Sequence, residues 1–154
     1  MPDHIADIAI TDAVKARQSR HGSRDAFQAQ IERRDWQSTI TEDLAAFLAR
    51  RDSFYLATVS ADGHPYIQHR GGPPGFLRVL DEKTLGLADL AGNRQYISAG
   101  NLDGNDWVHL FFMDYAERRR IKLWGRARLI DDDPELLARL MPEGTTAPGR
   151  NGRW

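Results

Sequence analysis

The sequence contains no cysteine. Disulfides, thiolate nucleophiles, Cys-ligated zinc and iron–sulfur clusters are therefore excluded. Long apolar runs are missing too, because none approaches the ~18 residues that a bilayer-spanning helix needs. At the N-terminus, MPDHIADIAITDA has acidic residues where a secretory signal peptide has a basic segment. These absences predict a cytoplasmic protein without a membrane partner.

The chain also lacks an excess of charge of either sign. It has 21 basic and 22 acidic residues, which give a formal net charge of −1. Nucleic-acid binding requires a basic surplus that displaces counterions from phosphates, so we expect no nucleic-acid partner. With 154 residues the chain has the length of one compact domain, and its 4 Trp, 4 Tyr and 6 Phe can build an aromatic core.

Motifs for metal-dependent or nucleophilic catalysis are absent from the sequence. Neither His-x-x-x-His nor HExxH occurs, and His64 and His69 would face opposite sides of one strand. Gly-x-Ser-x-Gly, GxGxxG and Walker patterns are also missing. We therefore expect no metal site, and the sequence identifies no catalytic acid, base or nucleophile.

Residues 1–52 are polar and predict a helical segment that packs on the domain after it. Thr11 begins one helical stretch, TDAVKARQSR. Thr39 and Glu42 have the spacing of a capping box before another helix, LAAFLARR. The apolar residues of that helix recur on a single face that must be buried; they are Leu44, Phe47 and Leu48.

Residues 53–140 predict a mostly β domain of the α+β class. Six short strands are predicted at a spacing of ~8–12 residues, which favours an antiparallel sheet closed as a barrel or sandwich. Asp131 or Asp132 can cap a final helix near Pro134, and residues 141–154 are predicted to be irregular. The six predicted strands span 53–60, 64–70, 76–80, 84–89, 107–113 and 120–130.

Polar side chains in the second predicted strand are the first candidates for a binding site. Gln68 and Arg70 point to one face of a strand, and His69 points to the other. Their face is either solvated or a polar wall for an anionic or hydrogen-bonding ligand. The glycines of GGPPG, which follows, either form a wide turn or let a bound group approach the backbone.

The loop AGNRQ at 91–95 is the second candidate. It places Arg94 and backbone N–H groups before a short helix, an arrangement that suits phosphate, although a solvated arginine in a turn is the simpler interpretation. The third candidate is ERRR at 117–120, which reads as a charged hairpin turn. Arg120 begins the next strand and could point inward.

The order of these elements is that of a known family. The strand-turn-strand unit LATVSADGHPY is followed by the polar strand, a hairpin, the Gly-Asn-Arg-Gln loop and an Asn-Leu pair. WVHLFFMDY and RRIKLWGRARLI continue the same order. Over about residues 44–133, the chain resembles the pyridoxamine 5′-phosphate oxidase-like FMN-binding split-barrel family.

The resemblance implies a six-stranded split barrel that forms a homodimer and binds FMN in clefts at the dimer interface. It assigns the phosphate to Arg94 and Gln95, and the flavin to the second strand and the end of the hairpin. It also implies a strand after the last helix, where residues 142–154 show no strand pattern, so one barrel edge would be open. The implied cofactor-binding residues are Gln68, His69, Arg70, Gly71, Ala88, Asp89, Asn93, Arg94, Gln95 and Arg120.

The function that the resemblance implies is an FMN-dependent oxidoreductase acting on a small-molecule substrate or electron donor. Pyridoxamine phosphate itself is not the expected substrate, because Pro73 stands where the family's oxidases have a phosphate-binding lysine, and their C-terminal Arg and His motif is absent. One alternative is a non-catalytic dimeric sensor or scaffold, with or without flavin. Another is the same barrel with deazaflavin F420 or haem, for which His69 is a conceivable ligand.

Overall fold

Six helices and six strands form in the part of the chain that the computed structural model describes, residues 5–34, 38–89 and 94–144. The helices are α1 (Ile5–Ala9), α2 (Asp12–Arg20), α3 (Arg24–Arg34), α4 (Glu42–Ala49), α5 (Ile97–Gly104) and α6 (Pro134–Leu140). The strands are β1 (Ser53–Val59), β2 (Pro65–Gly71), β3 (Arg78–Asp81), β4 (Thr84–Gly86), β5 (Trp107–Asp114) and β6 (Arg119–Arg126). Over these residues, none of the helices has both the length and the apolar character of a membrane span. The elements define an α+β fold.

The chain divides into two units, Met1–Ile40 and Thr41–Trp154. The first unit contains α1, α2 and α3, and the Thr11 side chain caps α2 by accepting a hydrogen bond from the Val14 amide at 3.4 Å. The second unit contains α4 and every strand. The packing of residues 1–52 on the β domain and the irregular tail from residue 141 stay predictions.

Two helix starts differ from the sequence-based predictions. The N-cap of α4 is Thr41, which accepts from the Leu44 amide at 3.3 Å, and not Thr39. The N-cap of α6 is Asp133, which accepts from the Leu136 amide at 2.8 Å, and not Asp131 or Asp132. In both cases several cap-forming residues lie in a row, and the packing of the helix selects the one that lies at its first turn.

The main sheet has the strand order β2-β1-β5-β6, and all its pairs are antiparallel. Because side chains alternate between faces, the register sets which residues share a face. One face, the inner face, carries Phe54 and Leu56 of β1, Leu110 and Phe112 of β5, and their partners on β6. The other face, the outer face, carries Tyr55, Ala57, His109, Phe111, Lys122 and Trp124.

The hydrophobic core lies against the inner face. The helix α4 contributes the buried side chains of Phe47 and Leu48, as its apolar face predicts. The Phe112 ring stacks on the Phe54 ring with a centroid distance of 5.2 Å and meets the Phe47 ring edge-on at 6.4 Å. The buried core residues are Phe47, Leu48, Phe54, Phe76, Leu77 and Phe112.

The predicted closed barrel is not formed by strand pairing within the described residues. The strands β3 and β4 make a separate two-stranded sheet, and their register shifts between Val79 and Asp81. β4 has only three residues, and neither β3 nor β4 pairs with a strand of the main sheet. The strand predicted over 76–80 begins at Arg78 and ends at Asp81, and the strand predicted over 84–89 ends at Gly86.

Asp114 at the end of β5 joins the β5–β6 turn to the segment after α4. Its Oδ1 accepts from the Glu117 amide at 2.9 Å, and its Oδ2 lies 2.7 Å from the Arg51 guanidinium. The Glu117 hydrogen bond first, and then Arg51, lower the pKa of this carboxyl below its ordinary value of 3.8. The ionised form is thus the one that the fold stabilises.

We expect this carboxylate to make the protein sensitive to acid. A lowered folded-state pKa contributes stability that is present above the unfolded pKa near 3.8 and is lost as the pH falls through the folded pKa. We would record thermal melts as the pH is lowered from about 5 to below 3.8. Over this range the Tm of the wild type should fall more steeply than the Tm of Asp114→Asn. The matched control is Asp103→Asn on the exposed surface of α5. Equal slopes for wild type and Asp114→Asn would contradict the prediction.

Candidate functional site

The edge strand β2 carries the first group of predicted site residues. Gln68 pairs with Leu56 and Arg70 pairs with Phe54, so both side chains lie on the inner face, where they are half-buried. His69 points to the outer face and is exposed, as the alternation of the strand predicts. The face of Gln68 and Arg70 is thus not the fully solvated surface that the sequence left open.

Two hydrogen bonds join helix α5 to the inner face of the sheet. The Ser98 hydroxyl donates to Gln68 Oε1 at 2.8 Å, and Asn101 Nδ2 donates to the Thr58 hydroxyl at 2.9 Å. Thr58 and Ser98 are buried. Sequence reasoning missed Thr58, Ser98 and Asn101. The sequence signal that could have identified Ser98 and Asn101 is their i, i+3 spacing, which places two polar side chains on one face of a short helix.

Arg70 is held by a residue from the end of the hairpin. Its guanidinium forms an ion pair with Asp89, whose neighbour Ala88 is buried. The Arg70 and Asp89 side chains are 20% and 33% exposed, so solvent screens the pair only in part. The Nε atom of Arg70 is buried and has no hydrogen-bond partner among the described residues. The guanidinium therefore keeps a donor that a ligand could use.

The loop before α5 places Arg94 and Tyr96 in the left-handed backbone region, with φ of 61° and 55°. Such φ values are unusual for residues other than glycine. The side chains of Arg94 and Gln95 are exposed. A hydrogen bond with the Tyr96 side chain raises the pKa of Arg94, so this guanidinium keeps its charge at every physiological pH. Asn93 lies outside the described residues.

The structure thus brings Gln68, Arg70 and Asp89 together on the inner face of β2, with Ala88 next to Asp89 in the chain, and Gln68 contacts α5 through Ser98. It does not place three other predicted site residues with them. His69 and Gly71 lie on the outer face of β2, and Arg120 lies opposite Met113 on the outer face of β6, the other edge strand of the sheet. The described residues contain no cluster of metal-binding side chains.

The strand order and the site define an α+β protein with a polar cluster on one edge strand of its main sheet. The sequence model of the family described as pyridoxamine 5′-phosphate oxidase matches residues 40–150. The match covers all but the last four residues of the second unit, including β2, the hairpin and α5. The chain belongs to the pyridoxamine 5′-phosphate oxidase family, as the resemblance predicted.

Two solved structures are similar to the chain at 22% sequence identity. One is a HupZ variant from Group A Streptococcus, with a TM-score of 0.45 over 56% of this chain and 67% of that chain. The other is HutZ, the heme storage protein from Vibrio cholerae, with a TM-score of 0.47 over 66% of this chain and 70% of that chain. No curated protein sequence matches the chain.

Proposed function

We propose that this protein binds FMN and acts as a flavin-dependent oxidoreductase. The observation that supports the proposal is the convergence of Gln68, Arg70 and Ser98 in a half-buried cluster on β2, in a chain of this family. Amide, guanidinium and hydroxyl groups donate hydrogen bonds to carbonyl and hydroxyl oxygens, which the flavin ring and its ribityl chain carry.

The residues present fit the cofactor. The buried Nε of Arg70 has no acceptor in the described part of the chain, and burial makes such a donor costly unless a ligand satisfies it. In the proposal, Gln68 and Arg70 bind the ribityl chain or the ring edge, and Arg94 binds the phosphate. When bound, FMN would supply hydride transfer at its N5 atom. The protein would contribute binding, orientation and local charge.

The proposal includes a homodimer with flavin at its interface. The outer face of the main sheet exposes apolar side chains, including Ile67, which is 63% exposed. An exposed apolar surface of this kind is typical of interaction sites. His69, Gly71 and Arg120 share this outer face, so a second copy docked on it would bring them next to residues of the other protomer. The split-barrel arrangement belongs to the same proposal.

The experiment that tests the proposal is the visible absorbance spectrum of the purified protein, recorded before and after FMN is added and the excess removed. We expect a flavin band that survives removal of the excess. A colourless dimer that retains no FMN would point to a flavin-free sensor or scaffold. A Soret band would indicate haem, and deazaflavin fluorescence would indicate F420. Any of these three results would contradict the proposal.

Arg94→Ala should weaken FMN binding because it removes a charged donor from the phosphate. We expect a loss of roughly tenfold in affinity, measured by quenching of flavin fluorescence. Arg128→Ala is the matched control, because it removes another exposed arginine that lies after β6. An unchanged titration for Arg94→Ala would remove this residue from the phosphate site.

A further inference from the structure

The half-buried cluster on β2 has no net charge. Gln68 and Ser98 are neutral, and the positive charge of Arg70 is matched by the negative charge of Asp89 in their ion pair. Both charged side chains are partly shielded from solvent, so solvent screens their effect on a nearby ligand only in part. Removing one of the two would therefore expose the cluster to the full charge of the other.

We propose that Asp89 is a specificity-determining residue, which pairs with Arg70 so that the cluster selects an uncharged hydrogen-bonding group and not a second anion. This inference rests on the proposed function and names the chemistry of one part of that site. Asp89 contributes to it in two ways. Its carboxylate neutralises Arg70, and it repels a phosphate that approaches the same position.

The geometry leaves the cluster able to bind while neutral. The Asp89 carboxylate accepts from one Nη atom of Arg70, and the Nε atom stays without a partner among the described residues. The cluster therefore offers a donor to a neutral carbonyl or hydroxyl oxygen without an excess of positive charge. Binding of an anionic group would then fall to the exposed charge of Arg94.

Riboflavin and FMN are the probes that separate these contributions, because they differ only in a phosphate with nearly two negative charges. Fluorescence titrations give the ratio of FMN affinity to riboflavin affinity. In Asp89→Asn, Arg70 loses its counter-charge, and we expect this ratio to rise on the order of fivefold. Asp62→Asn in the exposed β1–β2 turn loses the same charge and should keep the wild-type ratio.

Two further variants keep the test decisive if Asp89→Asn folds poorly, which circular dichroism would reveal. Arg70→Gln leaves Asp89 unpaired, so the ratio should fall below that of the wild type. The double variant Arg70→Gln, Asp89→Asn removes both charges and should restore the wild-type ratio. This opposite pair of shifts with restoration is a signature that a general loss of packing would not produce.

The inference is overturned if the ratio stays at the wild-type value in Asp89→Asn and Arg70→Gln while both flavins bind. It is also overturned if Asp62→Asn shifts the ratio equally, or if the double variant keeps a raised ratio. In these cases the proposed function stands. If the wild type binds neither flavin, the proposed function and this inference fail together.

Discussion

Phe112→Ala is expected to lower the free energy of unfolding by about 3–5 kcal/mol. The Phe112 side chain is 0% exposed and belongs to the core cluster beneath the inner face. It touches a ring on the neighbouring strand, Phe54, and a ring on α4, Phe47. Removing the ring leaves a cavity between the sheet and the helix, which the rigid backbone of a central strand cannot fill.

The matched control is Phe111→Ala, one residue earlier on the same strand. Phe111 points to the outer face and is only partly buried, so its loss should cost much less. Urea denaturation followed by circular dichroism measures both variants. Similar losses for the two would contradict the register that places Phe112 in the core.

Gly72→Ala is expected to destabilise the protein by about 1–3 kcal/mol through overpacking. A Cβ atom at this position would lie 2.7 Å from Cγ of the Phe76 ring. Phe76 is 4% exposed and stacks on the Phe54 ring at a centroid distance of 5.7 Å, so its ring has little room to move. The added methyl group must displace the core or the turn.

Gly125→Ala on β6 provides the control, because a Cβ atom there would have no neighbour within 4 Å. A comparison of Tm values should show a clear loss for Gly72→Ala and almost none for Gly125→Ala. Equal Tm values for Gly72→Ala and wild type would show that the Phe76 ring yields easily.

This packing bears on the two interpretations of GGPPG. The amide of Phe76, the residue after this segment, donates to the Pro73 carbonyl at 3.0 Å, and the Gly72 amide donates to the Asp52 carbonyl at 2.9 Å. These bonds describe a turn that is tied to the segment before β1. For Gly72, close packing of Phe76 therefore explains the glycine without a bound group.

The parts of the fold that the sequence predicted are those encoded by local patterns. The apolar face of α4 and the alternation of Gln68, His69 and Arg70 follow from the periodicity of one helix and one strand. Family membership was also accessible, because the order of elements over residues 40–150 is itself a sequence property.

The ends of helices and strands were harder to predict, because several neighbouring residues could each form the same cap or strand end. Thr39 and Thr41 can each cap a helix, and so can three consecutive aspartates before Pro134. The predicted caps were wrong because each choice depends on where the buried face of the helix meets the core, and local sequence does not contain that information. The same holds for the hairpin, in which β3 begins two residues later and β4 ends three residues earlier than their apolar residues suggested.

By itself, the sequence determined the α+β class, the alternation of side chains along β2 and the family, since each follows from periodicity or from the order of elements along the chain. Only the tertiary structure decided which polar groups meet. Gln68 lies 30 residues from Ser98, Thr58 lies 43 from Asn101, and Arg70 lies 19 from Asp89. Such contacts arise when the sheet, the hairpin and α5 pack together, because burial requires each polar group to find a partner wherever the fold supplies one.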